Sequence, residues 1–175
     1  EFHRQNANPI GNQTHFIAGD KDGNVFFDSD QSLIRYDIQT QKFSCLRKSN
    51  VYTVASIKGT IWVGIADSIL TWNPDKNDFD FVTRLENRNQ RATCLLEDSG
   101  GRYWIGTTDG LFKMNDDKSL TCMIMGEDIY DLYEDSKYNL WISIRMNGMY
   151  KRDVHGNFTR YRYDPSNPNN MSSNK

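Results

Sequence analysis

Five side chains that can offer oxygen to a cation crowd one short stretch: Asp20, Asp22, Asn24, Asp28 and Asp30. A hard cation such as calcium takes ligands of this kind. The run lacks the Asp-x-Asn/Asp-x-Asn/Asp-Gly order and the distant Glu of an EF-hand loop. Its counterparts elsewhere in the chain are turns without acid clusters. The better reading is a structural turn, and no metal is expected. His3, His15 and His155 are far apart in sequence and do not make a zinc set or a general base. The chain shows neither a Gly-x-Ser-x-Gly nucleophile motif nor a phosphate-binding loop. No catalytic residue and no cofactor is therefore expected. Asn12, Asn157 and Asn170 fit the glycosylation sequon and are expected to be unused.

Cys45, Cys94 and Cys122 are an odd number with no regular spacing, which is not a disulfide framework. If Cys94 and Cys122 lie on the first and last strands of one sheet, three intervals of about 4.8 Å separate them. That exceeds disulfide reach. All three are read as small buried hydrophobes.

The side chains with the best case for binding are Arg88, Arg91, Asp109, Arg145 and Asn147. Their case depends on the elements that carry them. Residues 98–115 read Asp-Ser-Gly-Gly-Arg-Tyr-Trp-Ile-Gly-Thr-Thr-Asp-Gly-Leu-Phe-Lys-Met-Asn, which is turn, strand, turn, strand. The acidic turn uses a side chain that bonds its own backbone and a glycine that tolerates positive φ. Tyr103 to Thr107 is an aromatic and β-branched run suited to a strand. Asp109-Gly110 is a hairpin dipeptide. The pattern occurs four times, and its second-strand aromatic falls at Phe26, Trp62, Trp104 and Trp141. The spacings are 36, 42 and 37. A period near 40 residues with four strand signals per unit marks propeller blades.

The predicted fold is therefore all-β. It has four four-stranded antiparallel repeats, taken as part of a larger propeller. Residues 1–14 form a lead-in segment. Blade one spans 15–50, blade two 51–91, blade three 92–127 and blade four 128–161. Residues 162–175 connect toward a following blade. Tyr103-Trp104-Ile105 and Leu140-Trp141-Ile142 are apolar on both faces, as in a sheet covered on both sides. Trp104 and Trp141 are expected to lie buried between blades. Nowhere does an apolar 3.6-residue period persist over ten residues, so no helix is expected.

Basic residues number 21 and acidic ones 23, a balance that argues against a nucleic-acid surface. No apolar run approaches the roughly 18–20 residues of a membrane span, so this chain is not expected to contact a membrane directly. In up-and-down blades, the second–third hairpins and the blade-to-blade connectors share one face. Loops there differ most between copies, and variable loops on a rigid scaffold are where binding resides. Arg88, Arg91, Asp109, Arg145 and Asn147 all fall on that face, where a sugar or acidic sugar would be met.

Residues 97–111 and 133–142 resemble the two-component regulator propeller repeat. The tail 161–174 is similar to the connector that precedes another blade in that family. The likeness is specific in blades three and four and weaker in one and two. Tyr138 departs from the repeat's turn glycine and Ser143 from its strand glycine. The resemblance implies a seven-bladed propeller and a non-catalytic, periplasmic sensor region of a hybrid two-component regulator, responding to a glycan. A histidine kinase would lie further along such a protein. Alternative readings are a protein-interaction propeller and a propeller lyase. Stacked blades end in uncovered faces, so self-association through the terminal blades, or packing against further blades, is expected.

Overall fold

The computed structural model describes residues 11, 13–87, 89–164 and 166. Sixteen strands form four antiparallel sheets of four, each in simple up-and-down order. The first sheet holds β1 (Ile17–Gly19), β2 (Val25–Ser29), β3 (Ser32–Asp37) and β4 (Lys42–Arg47). The second holds β5 (Val51–Ile57), β6 (Thr60–Ile65), β7 (Ser68–Asn73) and β8 (Asp78–Arg84). The third holds β9 (Ala92–Glu97), β10 (Tyr103–Thr107), β11 (Gly110–Met114) and β12 (Leu120–Met125). The fourth holds β13 (Ile129–Glu134), β14 (Leu140–Ile144), β15 (Met149–Arg152) and β16 (Phe158–Tyr161). No helix occurs among the described residues. The sheets group into two compact units, Glu1–Arg91 and Ala92–Lys175.

Each unit is a pair of stacked blades. In the first, Phe26 and Leu33 pack on Val54, Ile61, Val63 and Trp72 of the second sheet. In the second, Cys94, Trp104 and Leu111 of the third sheet pack on Ile129, Leu132, Leu140 and Ile142 of the fourth. Inside each unit the apolar face of one sheet is covered by the other sheet. Trp104 is fully buried and pairs in register with Leu96 and Lys113. The glycine that follows one residue after Ile105 allows this closeness. A Cβ on Gly106 would come within 2.3 Å of the Cys94 sulfur and 2.7 Å of Ile129.

The turns obey the repeat even where the sequence departs from it. Tyr138 takes φ 63°, the left-handed conformation held by Gly101 at φ 77° in the preceding blade. The turn is preserved because its other bonds fix it, and Tyr138 absorbs the strain. The hairpin glycine has a separate cause: a Cβ on Gly110 would sit 2.3 Å from the Ile124 carbonyl oxygen.

Two expectations need correction. Only Cys94 is buried; Cys45 and Cys122 are exposed. Both exposed thiols lie on outermost strands, β4 and β12, where one side of the strand meets solvent. Burial pushes the Cys94 thiol up to about 12, so it is inert as a nucleophile at neutral pH. Trp141 is only partly buried, unlike Trp104. Its face of the fourth sheet carries no further blade among the described residues, and Tyr161 stacks beside it at 5.7 Å. Residues 167–175, expected as a connector, lie outside the described residues.

Trp104→Ala removes a fully buried aromatic from the blade interface. Large aromatics in cores are worth about 3–5 kcal/mol on truncation. The urea midpoint of the variant should fall accordingly, and an unchanged midpoint would refute the packing described.

Candidate functional site

The two ends of the blades differ in chemistry. At one end, the acidic turns consume their own side chains. Asp98 accepts from the amides of Gly100 and Arg102, each at 3.0 Å. It also accepts from Arg102 Nε at 2.6 Å and from Trp104 Nε1 at 2.8 Å. Asp135 does the same for the amides of Lys137 and Asn139, Asn139 Nδ2 and Trp141 Nε1. Asp20 takes the amides of Asp22 and Asn24 and the Asn24 side chain. Asp28, at the opposite end of the first sheet beside the β2–β3 hairpin, is buried and accepts the amides of His15 and Phe16 together with His15 Nδ1. The acids that invited a calcium reading thus fall at both ends of one sheet, with Asp20 and Asp28 each engaged by nearby donors. Among the described residues, no group of three or more His, Cys, Asp or Glu side chains is placed to hold a metal.

These bonds set the electrostatics of the turns. Burial pushes the Asp98 carboxyl up, but donors from Trp104 and Arg102 outweigh it and hold it below its ordinary value. The Asn139 side chain, then Trp141 and the Asn139 amide, hold Asp135 far below its ordinary value.

At the other end lie the hairpins β10–β11 and β14–β15 and the β12–β13 connector. Here the second unit gathers a polar cluster. Arg145 Nε donates to Asp128 at 2.9 Å, and its amide donates to the Asp128 carbonyl. Asn147 Nδ2 donates to Glu127 at 2.7 Å. Arg160 reaches the other Glu127 oxygen at 2.6 Å. Glu127 is largely buried by these partners, its side chain 14% exposed. The Asp109 carbonyl accepts from the Gly126 amide, tying the hairpin to the start of the connector.

An aromatic completes the cluster. β13 carries a bulge between Ile129 and Asp131, and the bulged residue is Tyr130. A bulge turns a side chain away from the plane of its strand. Tyr130 is 59% exposed, with the Arg145 guanidinium 4.9 Å from its ring centre. The first unit repeats the device. β5 bulges at Tyr52, and the Arg91 guanidinium lies 4.8 Å from that ring. Met125 and Met146 are exposed at the same end of the second unit.

Of the residues expected at the binding face, Arg145 and Asn147 come together around the 127–128 connector. Asp109 is exposed in the adjoining hairpin. Arg91 stands in the first unit over Tyr52. Arg88 lies outside the described residues. Tyr52, Tyr130 and Arg160 were not picked out by sequence reasoning. A usable signal was present: Val51-Tyr52 and Ile129-Tyr130 each open a blade with an apolar residue followed by tyrosine.

The fold and this geometry define a class: β-propeller blades with structural acidic turns at one end and aromatic–arginine pairs at the other. Residues 88–109 match the family model of the two-component regulator propeller, so the chain carries that repeat. Over 98% of its length it superposes on the extracellular domain of a hybrid two-component system of B. thetaiotaomicron. The TM-score is 0.80, the identity 19%, and 25% of that chain is covered. A second extracellular domain of a hybrid two-component system from the same organism matches over 93% of this chain and 23% of its own. There the TM-score is 0.73 and the identity 20%. Virginiamycin B lyase from Staphylococcus aureus matches with TM-score 0.69 and 15% identity, over 87% of this chain and 56% of the lyase. The chain spans about a quarter of the length of the sensor domains it matches. Comparison with curated protein sequences gave no match.

The depressed Asp135 has a consequence for acid stability. Because its folded value lies below its unfolded one, its stabilisation is fully present above about pH 3.8, the ordinary aspartate value, and fades as pH falls further. Asp135→Asn should therefore lower the urea midpoint at neutral pH. The gap to the wild type should narrow as pH drops below that value. A gap independent of pH would refute the role given to the carboxylate.

Proposed function

We propose that this chain is part of the extracytoplasmic, periplasmic sensor region of a hybrid two-component regulator, acting by binding rather than catalysis. The observation that carries the reading is the two-component regulator propeller repeat at residues 88–109. The sensor-domain matches support the fold in which that repeat works.

The ligand proposed is a neutral oligosaccharide, bound at the hairpin and connector end of the second unit. Exposed tyrosine rings offer an apolar face with a polar rim, the surface a sugar's C–H face and hydroxyls require. The carboxylates of Asp109, Glu127 and Asp128 outnumber the guanidiniums of Arg145 and Arg160. Both guanidiniums already meet carboxylates. An acidic sugar would find no uncompensated cation in this cluster, which favours a neutral one. The lyase reading has the weaker support, since His15 is engaged by Asp28 and the acidic turns are engaged by their own donors. A protein partner is the second reading, favoured by exposed Met125 and Met146, whose flexible thioethers suit adaptable contacts.

An array of neutral and acidic oligosaccharides, followed by calorimetry on any that bind, tests this. Neutral glycans should bind, and Tyr130→Ala should weaken binding by about tenfold or more, the range for losing an anchoring aromatic. The circular dichroism spectrum should not change. Binding confined to acidic glycans, or untouched by Tyr130→Ala, would overturn the site assignment. A chain that binds no glycan at all would overturn the ligand class.

A further inference from the structure

The fourth blade turns from β14 to β15 through Arg145-Met146-Asn147-Gly148. No other asparagine of the sequence is followed by glycine. In such a pair the glycine nitrogen can attack the asparagine side-chain carbonyl carbon, because no Cβ shields it. The fold keeps the pair together. A Cβ at Gly148 would lie 2.2 Å from the Tyr161 carbonyl oxygen, and the residue sits at φ 79°, so glycine is required there. Among the described residues, no hydrogen bond holds the Gly148 N–H. Asn147 is partly buried, and its side chain is held by the bond from Nδ2 to Glu127.

The other blades show where a carboxylate at this point would turn. A Cβ on Gly110 would lie 2.3 Å from the Ile124 carbonyl oxygen and 3.4 Å from Met125 Cα. On Gly148 the second neighbour is Arg162 Cα, at 3.3 Å. Gly148 and Gly110 are therefore equivalent, and Arg162 takes the place of Met125. In the second blade the same register sets Ser68 opposite Arg84, as Gly110 stands opposite Met125. Asp67, Asp109 and Asn147 thus share one position, acid in two blades and amide in the fourth. Asp67 meets Arg84 at 3.6 Å. Arg162 occupies the place of Arg84 and is exposed.

We propose that Asn147 is a modification site: it deamidates through Gly148, and the new carboxylate leaves Glu127 for Arg162. The Gly148 nitrogen loses its proton to base and bonds to Asn147 Cγ, and ammonia leaves. Water then opens the five-membered imide at either carbonyl, giving an aspartyl or isoaspartyl residue. One water is consumed, one ammonia is released, and nothing is oxidised or reduced. The donor that Glu127 held becomes a second carboxylate beside it, and like charges at that range cannot both stay ionised in contact. The hairpin therefore lets go of Glu127, which keeps Arg160. The reaction involves no ligand and is independent of what binds at this end.

Incubation of the full chain at mildly alkaline pH, followed by digestion and mass spectrometry, reads the reaction at every asparagine. A synthetic peptide of residues 143–152 is the reference. The Asn147 fragment of the folded chain should gain the mass of amide-to-acid conversion before any other asparagine does, with isoaspartate in the product. An Asn147 that stays intact after the peptide has converted, or that converts later than another asparagine, overturns the site. The new pairing is read by a double-mutant cycle of Asn147→Asp and Arg162→Gln. Arg162→Gln should leave the urea midpoint of the wild type unchanged and lower that of Asn147→Asp. Equal effects in the two backgrounds overturn the pairing with Arg162.

Discussion

The constraint on which the blades depend is a carboxylate held inside its own turn. A tryptophan packed between sheets carries an N–H that must find an acceptor. In the third and fourth blades that acceptor is the turn aspartate six residues earlier, Asp98 for Trp104 and Asp135 for Trp141. The same carboxylate holds two backbone amides and one side chain of its turn. The turn and the pose of the ring are therefore one structure. Moving either leaves a donor unsatisfied, which costs about 1–3 kcal/mol. Asp20 and Asp153 make the backbone and asparagine part of the arrangement without an indole. The second blade omits it, replacing the acidic turn with Lys58-Gly59 at φ 50° and 75°. Two left-handed residues in succession make the tight hairpin turn matched to strand twist.

Because one end of each blade is fixed in this way, variation is free to accumulate at the other. There the inner strands bulge, and the bulged residue differs: Tyr52, Thr93 and Tyr130. Thr93 turns its hydroxyl inward to the Ile129 carbonyl at 2.6 Å and serves packing. Tyr52 and Tyr130 instead support guanidiniums. One backbone device thus yields a structural bond in one blade and a surface feature in the next. The cation–π pairs are worth about 0.5–1 kcal/mol when exposed. That is enough to order an arginine and too little to bind a ligand alone.

Much of this was legible in the sequence. Strand number, order and register follow from the spacing of Phe26, Trp62, Trp104 and Trp141, because a period-2 pleat fixes every neighbour once one position is fixed. What could not be read was anything that depends on which strand is outermost or on what covers the face of a sheet. Cys45, Cys94 and Cys122 look alike in sequence, yet only the inner-strand Cys94 is buried. Trp104 and Trp141 occupy the same repeat position, yet of the two only Trp104 has a blade on its face among the described residues. The tyrosine–arginine pairs were hidden for another reason. A bulge breaks the alternation on which strand reading rests, so Tyr130 counted as an ordinary strand residue. Tyr138 shows the opposite case: a residue unsuited to positive φ adopts it because Asp135 and Asn139 hold the turn closed.

The blade interfaces also explain how the fold persists at 19% identity to a domain that it superposes on with a TM-score of 0.80. On the third strand of the packed blade, Trp72 meets Phe26 in one unit and Arg152 meets Trp104 in the other. An edge-to-face ring pair and a guanidinium over an indole both set positive charge density against a π face. The geometry requires such a contact and not a particular side chain. Few positions are then strictly constrained: the turn acid, the second-strand aromatic and the glycines where backbones nearly touch. At Gly106 even a methyl group would overlap Cys94, whereas the fourth blade tolerates Ser143, partly exposed, at the matching point. The first blade carries Asp28 at that point, buried and accepting the His15 and Phe16 amides, so the fold requires glycine there only where the local contacts do.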